Sequence, residues 1–419
     1  MYIDVKKITF LKNITLLASG SLFAQLFNIV GAPIITRIYD VETIGIYSYI
    51  LTIVTSFTAI LNFRYDLAIV SEENTQNVFA LIKVNIILGV ITSTLITISL
   101  WIYFIYYNAS INITPLIMFI VFLILISNSI SNILTSYNNR MKEYKIMAVV
   151  GGIRTSFQNV GGILLGLVSD NVICLLMPYA FGQLLGIRQQ SKTLIFNIKK
   201  IINTRYGDLV NVLKIHRNMF FFSTPAMMAN SLSYASVTVF LEMLFDMAVV
   251  GYYSLSTRVL GLPLLLISGN VGKVFFQEAQ NEYVISNCFH ESFKKSFLIL
   301  CGLALPIGFV MYFISPLACS YVFGNSWTVA GRYIQILTPF FLFRFIGTAL
   351  SPGLLVCKKQ RLELVFNILL MMAAVSSYII TRYYNRDVDL FLYCISASNS
   401  LVYCILIFFV WSSSRKDKQ

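Results

Sequence analysis

Hydrophobic and polar positions alternate along this chain in long stretches, not in the short periods of a soluble domain. Apolar blocks of about 20 residues, the length at which a helix crosses a ~30 Å hydrocarbon core, recur twelve times. They run approximately Ile14 to Thr36, Thr43 to Asn62, Val78 to Tyr106, Thr114 to Ser136, Ile146 to Val168, Val172 to Phe196, Met219 to Leu241, Val249 to Phe276, Phe297 to Ile314, Tyr333 to Val356, Leu364 to Thr381 and Leu390 to Trp411. Each block is continuous, whereas a transmembrane barrel requires apolar residues at every second position. The pattern therefore predicts an all-α integral membrane protein with about twelve transmembrane helices.

The longest stretch without a span, Arg188 to Arg217, falls between the sixth and seventh blocks. The expected organisation is an N-terminal six-helix half over residues 1–196, a basic cytoplasmic linker over 197–217 and a C-terminal six-helix half over 218–419. Repeats are common in helical transporters, and a short one is present. Asp40, Gly45, Tyr47 and Ser48 in DVETIGIYS recur as Asp246, Gly251, Tyr253 and Ser254 in DMAVVGYYS, all at an offset of 206. Two halves of six spans share one orientation and are related by an axis along the membrane normal, with a substrate path expected between them.

Composition agrees with the pattern: 57% of residues are hydrophobic, 12% are charged, and the mean hydropathy is +0.76. The formal net charge is +13, and its placement sets the expected topology. With the N-terminus inside, most of the 31 basic residues fall in inner segments, and the outer segments hold only Arg37, Arg332, Arg382 and Arg386. Basic residues accumulate on the cytoplasmic side, so both termini are expected to be cytoplasmic and no nucleic-acid partner is needed to explain the charge. The polar start MYIDVKKITFLKN has no small-residue cleavage site after an apolar core and reads as the cytoplasmic lead into the first span. Seven scattered cysteines and two histidines, His216 and His290, form no ligand grouping, so neither a metal nor a cofactor is expected. No catalytic constellation is apparent, and an enzyme is not expected.

The charges left inside the blocks are the candidates for function, because a charge at such depth normally faces a bundle interior or a wet cavity. Arg258 precedes Lys273 by fifteen residues and Arg344 precedes Lys358 by fourteen, placing each about 20 Å from its cytoplasmic end. Arg154 lies about 13 Å beyond Lys145 by the same rise. Alternatives stand beside each. Arg258 either serves a ligand or pairs with Glu242 or Asp246; Arg154 either serves a ligand or packs on the Gly-rich run GGIRTSFQNVGGILLG; and Arg344 sits between Pro339 and Pro352 on what reads as a bent helix. Arg37 ends the first span as a ligand contact or an interfacial anchor, and Arg64 with Asp66 ends the second as a fixed or switching ion pair. Asp66, Glu242 and Asp246 are the candidates for ion coupling.

The stretch GSLFAQLFNIVGAPIITRIYDVETIGIYSYI, followed by FRYDLAIV, closely resembles the start of bacterial polysaccharide flippases of the MOP exporter superfamily. In that family an A/S-P-hydrophobic-hydrophobic-T-R segment ends the first span and an R-Y-E/D-L-A-I segment ends the second. GYYSLSTRVLGLPLLLISGNVGKVFFQEA is similar to the family's eighth span, with its Arg and L-P step. The resemblance implies a Wzx-like transporter of a MATE-like fold that moves undecaprenyl-diphosphate-linked oligosaccharide repeat units from the inner to the outer leaflet of the bacterial cytoplasmic membrane. The repeat units would belong to O-antigen, capsule or a similar polysaccharide. The same resemblance implies membrane lipids as partners, and a polymerase and a chain-length regulator as companions in the pathway. Arg258, Arg154, Arg344, Arg37 and Arg64 then become the residues expected to bind the diphosphate, since a planar guanidinium fork matches phosphate oxygens. The competing readings are a multidrug or other lipid exporter of the same superfamily and a polysaccharide polymerase; a cation-exporting drug cavity should favour carboxylates and aromatics over buried arginines, and a polymerase should carry a large outer loop.

Overall fold

Helices follow the apolar blocks in the computed structural model, which describes residues 25–107, 113–357, 359–384 and 387–415. The expected N-terminal lead and the start of the first block lie outside these residues, as does Lys358. In chain order the helices are α1 (residues 25–38), α2 (Val41–Ser56), α3 (Tyr65–Ser71), α4 (Thr75–Tyr107), α5 (Pro115–Arg140), α6 (Tyr144–Gly166), α7 (Val172–Leu184), α8 (Ile187–Gln190), α9 (Lys192–Ile195), α10 (Ile198–Ile202) and α11 (Tyr206–Ile215). They continue as α12 (Thr224–Leu244), α13 (Met247–Pro263), α14 (Gly269–Ser286), α15 (His290–Phe323), α16 (Thr328–Leu350), α17 (Gly353–Val356), α18 (Gln360–Tyr383) and α19 (Val388–Ser414). No strand occurs among the described residues. Eight helical stretches there are long and apolar enough to cross a membrane, and the chain is a multi-pass membrane protein.

The local chemistry places the helix ends. Thr114 caps α5 by accepting from the Ile117 amide at 3.4 Å, with Pro115 in the first turn where its missing N–H costs nothing. Asn171 caps α7 through the Ile173 amide at 3.0 Å. The second block ends earlier than its apolarity suggests. Residues 57–64 leave the α-helix in a series of tight turns, and Phe63 and Arg64 take positive φ values of 46° and 62°. Side chains with a Cβ rarely adopt that region, so nothing in their identity announced the break. Pro263 is followed by a π-helical turn, Leu264–Ser268, that joins α13 to α14. The ring cannot donate to the helix ladder, and one widened turn absorbs the mismatch.

The chain forms two compact units. The first runs through Asp40 and resumes over Ile50–Ser231; the second takes Val41–Tyr49 and Leu232–Gln419. In the first, α5 packs on α3, α4, α6 and α7. Polar side chains join the helices, as small residues and hydroxyls do in membrane bundles. Asn62 donates to Ser129 Oγ at 2.9 Å and to the Asn85 carbonyl at 3.2 Å, and Tyr39 donates to the Gly162 carbonyl at 2.7 Å.

One end of this unit has its own apolar cluster. Tyr65 and Ile69 of α3, Val78, Phe79 and Ile82 of α4 and Tyr137 of α5 enclose Ile201 and Val212 from the linker helices α10 and α11. Polar contacts fasten the linker there. Lys83 Nζ donates to the carbonyls of Ile202 at 2.7 Å and Thr204 at 3.0 Å, and His216 Nε2 lies 2.8 Å from Glu72 Oε2. Burial raises the Glu72 pKa, yet hydrogen bonds from His216, Asn77 and the Asn74 amide outweigh it and hold the carboxyl below its ordinary 4.5. An acid stabilised in its charged form contributes above its unfolded pKa and loses that contribution as pH falls through the lowered folded value. Acidification below about pH 4.5 is therefore expected to loosen residues 197–217, read as faster amide exchange there, and Glu72→Gln is expected to give the same acceleration at neutral pH.

In the second unit α16 is the central helix, packed on α13, α14, α15 and α19. Trp327, Phe275, Phe289, Phe345 and Phe391 are fully buried. Hydroxyls again cross between helices: Ser256 donates to the Ala330 carbonyl at 2.8 Å, and Ser268 to the Phe345 carbonyl at 2.8 Å.

Candidate functional site

From Val41 on, the repeated segment belongs to the second unit. Asp40 precedes α2 and Asp246 precedes α13, so both copies begin a helix at the same position. Asp246 caps its helix by accepting from the Val249 amide at 2.9 Å, while Asp40 makes no side-chain cap and instead offers its amide to the Asp170 carboxylate at 3.0 Å. The two copies then pack on each other. Ser48 donates to its repeat mate Ser254 at 3.0 Å. A Cβ on Gly45 would overlap the Met247 carbonyl, and one on Gly251 would overlap the Val41 carbonyl. Glycine at both positions is what lets these backbones touch. One residue past Ser48, Tyr49 donates to Glu242 at 3.2 Å.

Arg258 lies one turn beyond Ser254 on α13, and thus on the same face as the crossing. It is exposed and, among the described residues, makes no hydrogen bond or ion pair. The alternative of pairing with Glu242 or Asp246 is not what the structure shows: Glu242 accepts from Tyr49, and Asp246 caps α13. A guanidinium with all five donors uncommitted has its full capacity for an anion.

Arg344 has the opposite environment. Its guanidinium lies 4.5 Å from the ring centre of Tyr234, 5.4 Å from Phe341 and 6.0 Å from Phe340. Tyr234 hydrogen-bonds Tyr403 at 3.0 Å, which fixes the rings, and the buried Arg344 Nε has no hydrogen-bond partner. Cation–π attraction to several rings offsets part of the desolvation of the charge. The aromatic cage was not anticipated. Phe340 and Phe341, four and three residues before Arg344, were the available signal, because those spacings share a helix face; Tyr234 and Tyr403 come from distant segments.

In the first unit Arg154 is committed to its neighbours. Nε donates to the Leu185 carbonyl at 2.9 Å, at the end of α7, and Nη2 to Gln190 Oε1 at 3.1 Å. A cation that satisfies the last carbonyls of a helix is a structural cap, with part of its donor set left over. Arg37 is exposed in the last turn of α1. Arg64 and Asp66 do not form the expected ion pair. The left-handed backbone at Arg64 turns its side chain to Ser223, which accepts from Nε at 3.3 Å, and Asp66 stands half-buried in the first turn of α3. Burial pushes the Asp66 carboxyl above its ordinary range, against the pull of the Arg64 charge. Among the described residues no group of three or more His, Cys, Asp or Glu side chains is placed to hold a metal ion.

The comparisons with known proteins fit this architecture. The polysaccharide biosynthesis protein family matches residues 20–331, and the chain belongs to that family. Solved structures share the fold over nearly the whole chain. An outward-facing multidrug resistance MATE family transporter of the MOP superfamily superposes with a TM-score of 0.66 at 13% identity, covering 96% of this chain and 95% of its own. An inward-facing MATE structure gives 0.69 at 12% identity, covering 94% and 96%. The lipid II flippase MurJ in an inward closed conformation gives 0.66 at 14% identity, covering 94% and 87%. No match is found among curated protein sequences.

Proposed function

We propose that the protein flips an undecaprenyl-diphosphate-linked oligosaccharide repeat unit from the inner to the outer leaflet of the bacterial cytoplasmic membrane, by alternating access. The observation that carries the reading is Arg258, an exposed guanidinium without a protein partner on a helix of a transporter fold. An anionic diphosphate is prohibitively costly in hydrocarbon unless cations and donors replace its water. Arg258 supplies five uncommitted donors, and Arg154, Arg37, Arg64 and Arg344 would hold the group at other stages of the passage. With the cell interior negative, outward movement of the anion is favourable by ~2.3 kcal/mol per charge per 100 mV, so the barrier is what the protein removes. Asp66, with its raised pKa, is the foremost of the ion-coupling candidates, since Glu242 and Asp246 already have structural contacts. The twelve-span arrangement in two halves of six, with both termini cytoplasmic, belongs to the same proposal, as do O-antigen or capsule units as the cargo and a polymerase as the next enzyme.

The test is the lipid-linked glycan content of cells lacking the gene, read by mass spectrometry with a probe for the leaflet it occupies. Single repeat units held on the cytoplasmic leaflet, with surface polysaccharide lost, are expected. Normal surface polysaccharide would sink the reading in favour of drug or other lipid export. Single units that reach the surface without elongation would indicate a polymerase instead.

A further inference from the structure

The linker helices have two different faces, one that anchors the segment and one turned outward. On one side Ile201 and Val212 are buried in the cluster against α3, α4 and α5. On the other, Phe196 is 88% exposed, Tyr206 80% and Ile202 64%, with Ile198 also exposed. Between Arg188 and Arg217 the chain carries seven basic residues and one acidic residue, Asp208. Water-exposed bulky apolar side chains in such number, interleaved with lysine and arginine, have the composition of a segment that lies in a membrane interface.

The depth of the segment can be read from α4. Lys83 holds the Ile202 and Thr204 carbonyls. Outward-facing apolar residues on α4 begin at Ile86 and Ile87 and recur at Val90 and Ile91, the lipid-facing stripe of a spanning helix. Three residues separate Lys83 from Ile86, or about 5 Å along the helix axis. The end of α10 thus lies within about a turn or two of the level where α4 enters lipid, close enough for its outward side chains to reach the acyl boundary. On the far side of the linker, Phe221 and Phe222 are exposed at the entry to α12, and phenylalanine is among the residues that interfacial segments turn to the acyl boundary.

We propose that the linker, residues 197–217, together with Phe196 just before it, is a binding surface for anionic phospholipid headgroups. Phe196, Ile198 and Ile202 insert at the acyl boundary while Lys199, Arg205 and Lys214, all exposed, hold the phosphates. The charge complementarity and the continuity with the lipid-facing stripe of α4 select a lipid leaflet as the occupant. The inference rests on the chain being a membrane protein and is independent of which cargo it moves.

The experiment uses the full-length Phe196→Trp protein in vesicles of phosphatidylcholine with phosphatidylglycerol, one lipid at a time carrying bromine on its acyl chains. The signal is corrected for the native tryptophans with the unsubstituted chain. Brominated phosphatidylglycerol is expected to quench the introduced tryptophan more strongly than brominated phosphatidylcholine. The local preference is expected to fall about five-fold for each charge removed in Lys199→Gln, Arg205→Gln and Lys214→Gln, and to weaken in high salt. These side chains are exposed, and size-exclusion chromatography checks that the variants remain folded. Quenching by neither lipid would overturn the proposal and leave the face to a protein partner. Equal quenching by both lipids with the basic residues intact would overturn headgroup recognition. Neither measurement requires transport, so a chain that fails to flip glycan can still pass it.

Discussion

Arg258→Ala is expected to lower glycan flipping at least ten-fold while leaving thermal stability unchanged, whereas Arg344→Ala is expected to lower both. The contrast follows from what each guanidinium touches. Arg258 has no hydrogen bond or ion pair among the described residues, so its removal breaks nothing in the fold, and exposed substitutions of that kind stay within about 0.5 kcal/mol. On the proposed function its contribution appears when the diphosphate arrives. A charge-assisted hydrogen bond is worth roughly 1.5–3 kcal/mol, which is a ten- to hundred-fold change in rate if it is made at the rate-limiting stage. Arg258→Lys retains the charge but loses the planar fork and should recover part of the activity. Arg344 is already occupied. Its contacts with Tyr234, Phe341 and Phe340 are worth about 0.5–2 kcal/mol each, partly offset by the buried Nε that lacks a partner. A loss of about 2 kcal/mol on truncation to alanine is the expected net, measured as a fall in melting midpoint of the detergent-purified protein. Leaf-by-leaf analysis of lipid-linked glycan reads the transport arm. Unimpaired flipping by Arg258→Ala would remove that residue from the mechanism; a large stability loss in the same variant would show that it has a structural partner.

The features legible in the sequence are those with a local or repeating cause. Continuous apolar blocks became helices because a segment of about 20 apolar residues has to satisfy its own backbone in lipid. The repeat was legible as well, and the hydrogen bond between Ser48 and Ser254, 206 residues apart, shows why the same small residues occupy both copies. Features that depend on a distant partner were not legible. His216 and Glu72 are separated by 144 residues, and neither side chain carries a mark of the other. Arg154 read as well as a ligand contact as a packing residue, and its commitment to Leu185 depends on where α7 ends. The ion pair expected of Arg64 and Asp66 failed for a local reason. Residues two apart point to opposite faces of a continuous helix, and the left-handed backbone at Arg64 sends its side chain to Ser223 instead.

Gly251→Val is expected to destabilise the second unit by about 3 kcal/mol, at the upper end of overpacking costs. A Cβ there meets the Val41 carbonyl and the Gly45 amide, which are backbone atoms that cannot rotate away as a side-chain tip would. The two segments would have to separate, and the Ser48–Ser254 hydrogen bond, at 3.0 Å, would lengthen and contribute less. Gly45→Ala should do the same from the other side through the Met247 carbonyl. Because both substitutions open one contact, their costs will not add: once the first has parted the backbones, the second meets less resistance. Gly261→Ala supplies the control, since a Cβ at Gly261 meets nothing within 4 Å, and it should leave the melting midpoint unchanged or slightly raised. Melting of the four variants in one detergent decides the matter. Strict additivity of the Gly45 and Gly251 substitutions would show that the two glycines do not share an interface, and the repeat would then be two independent helix starts instead of one crossing.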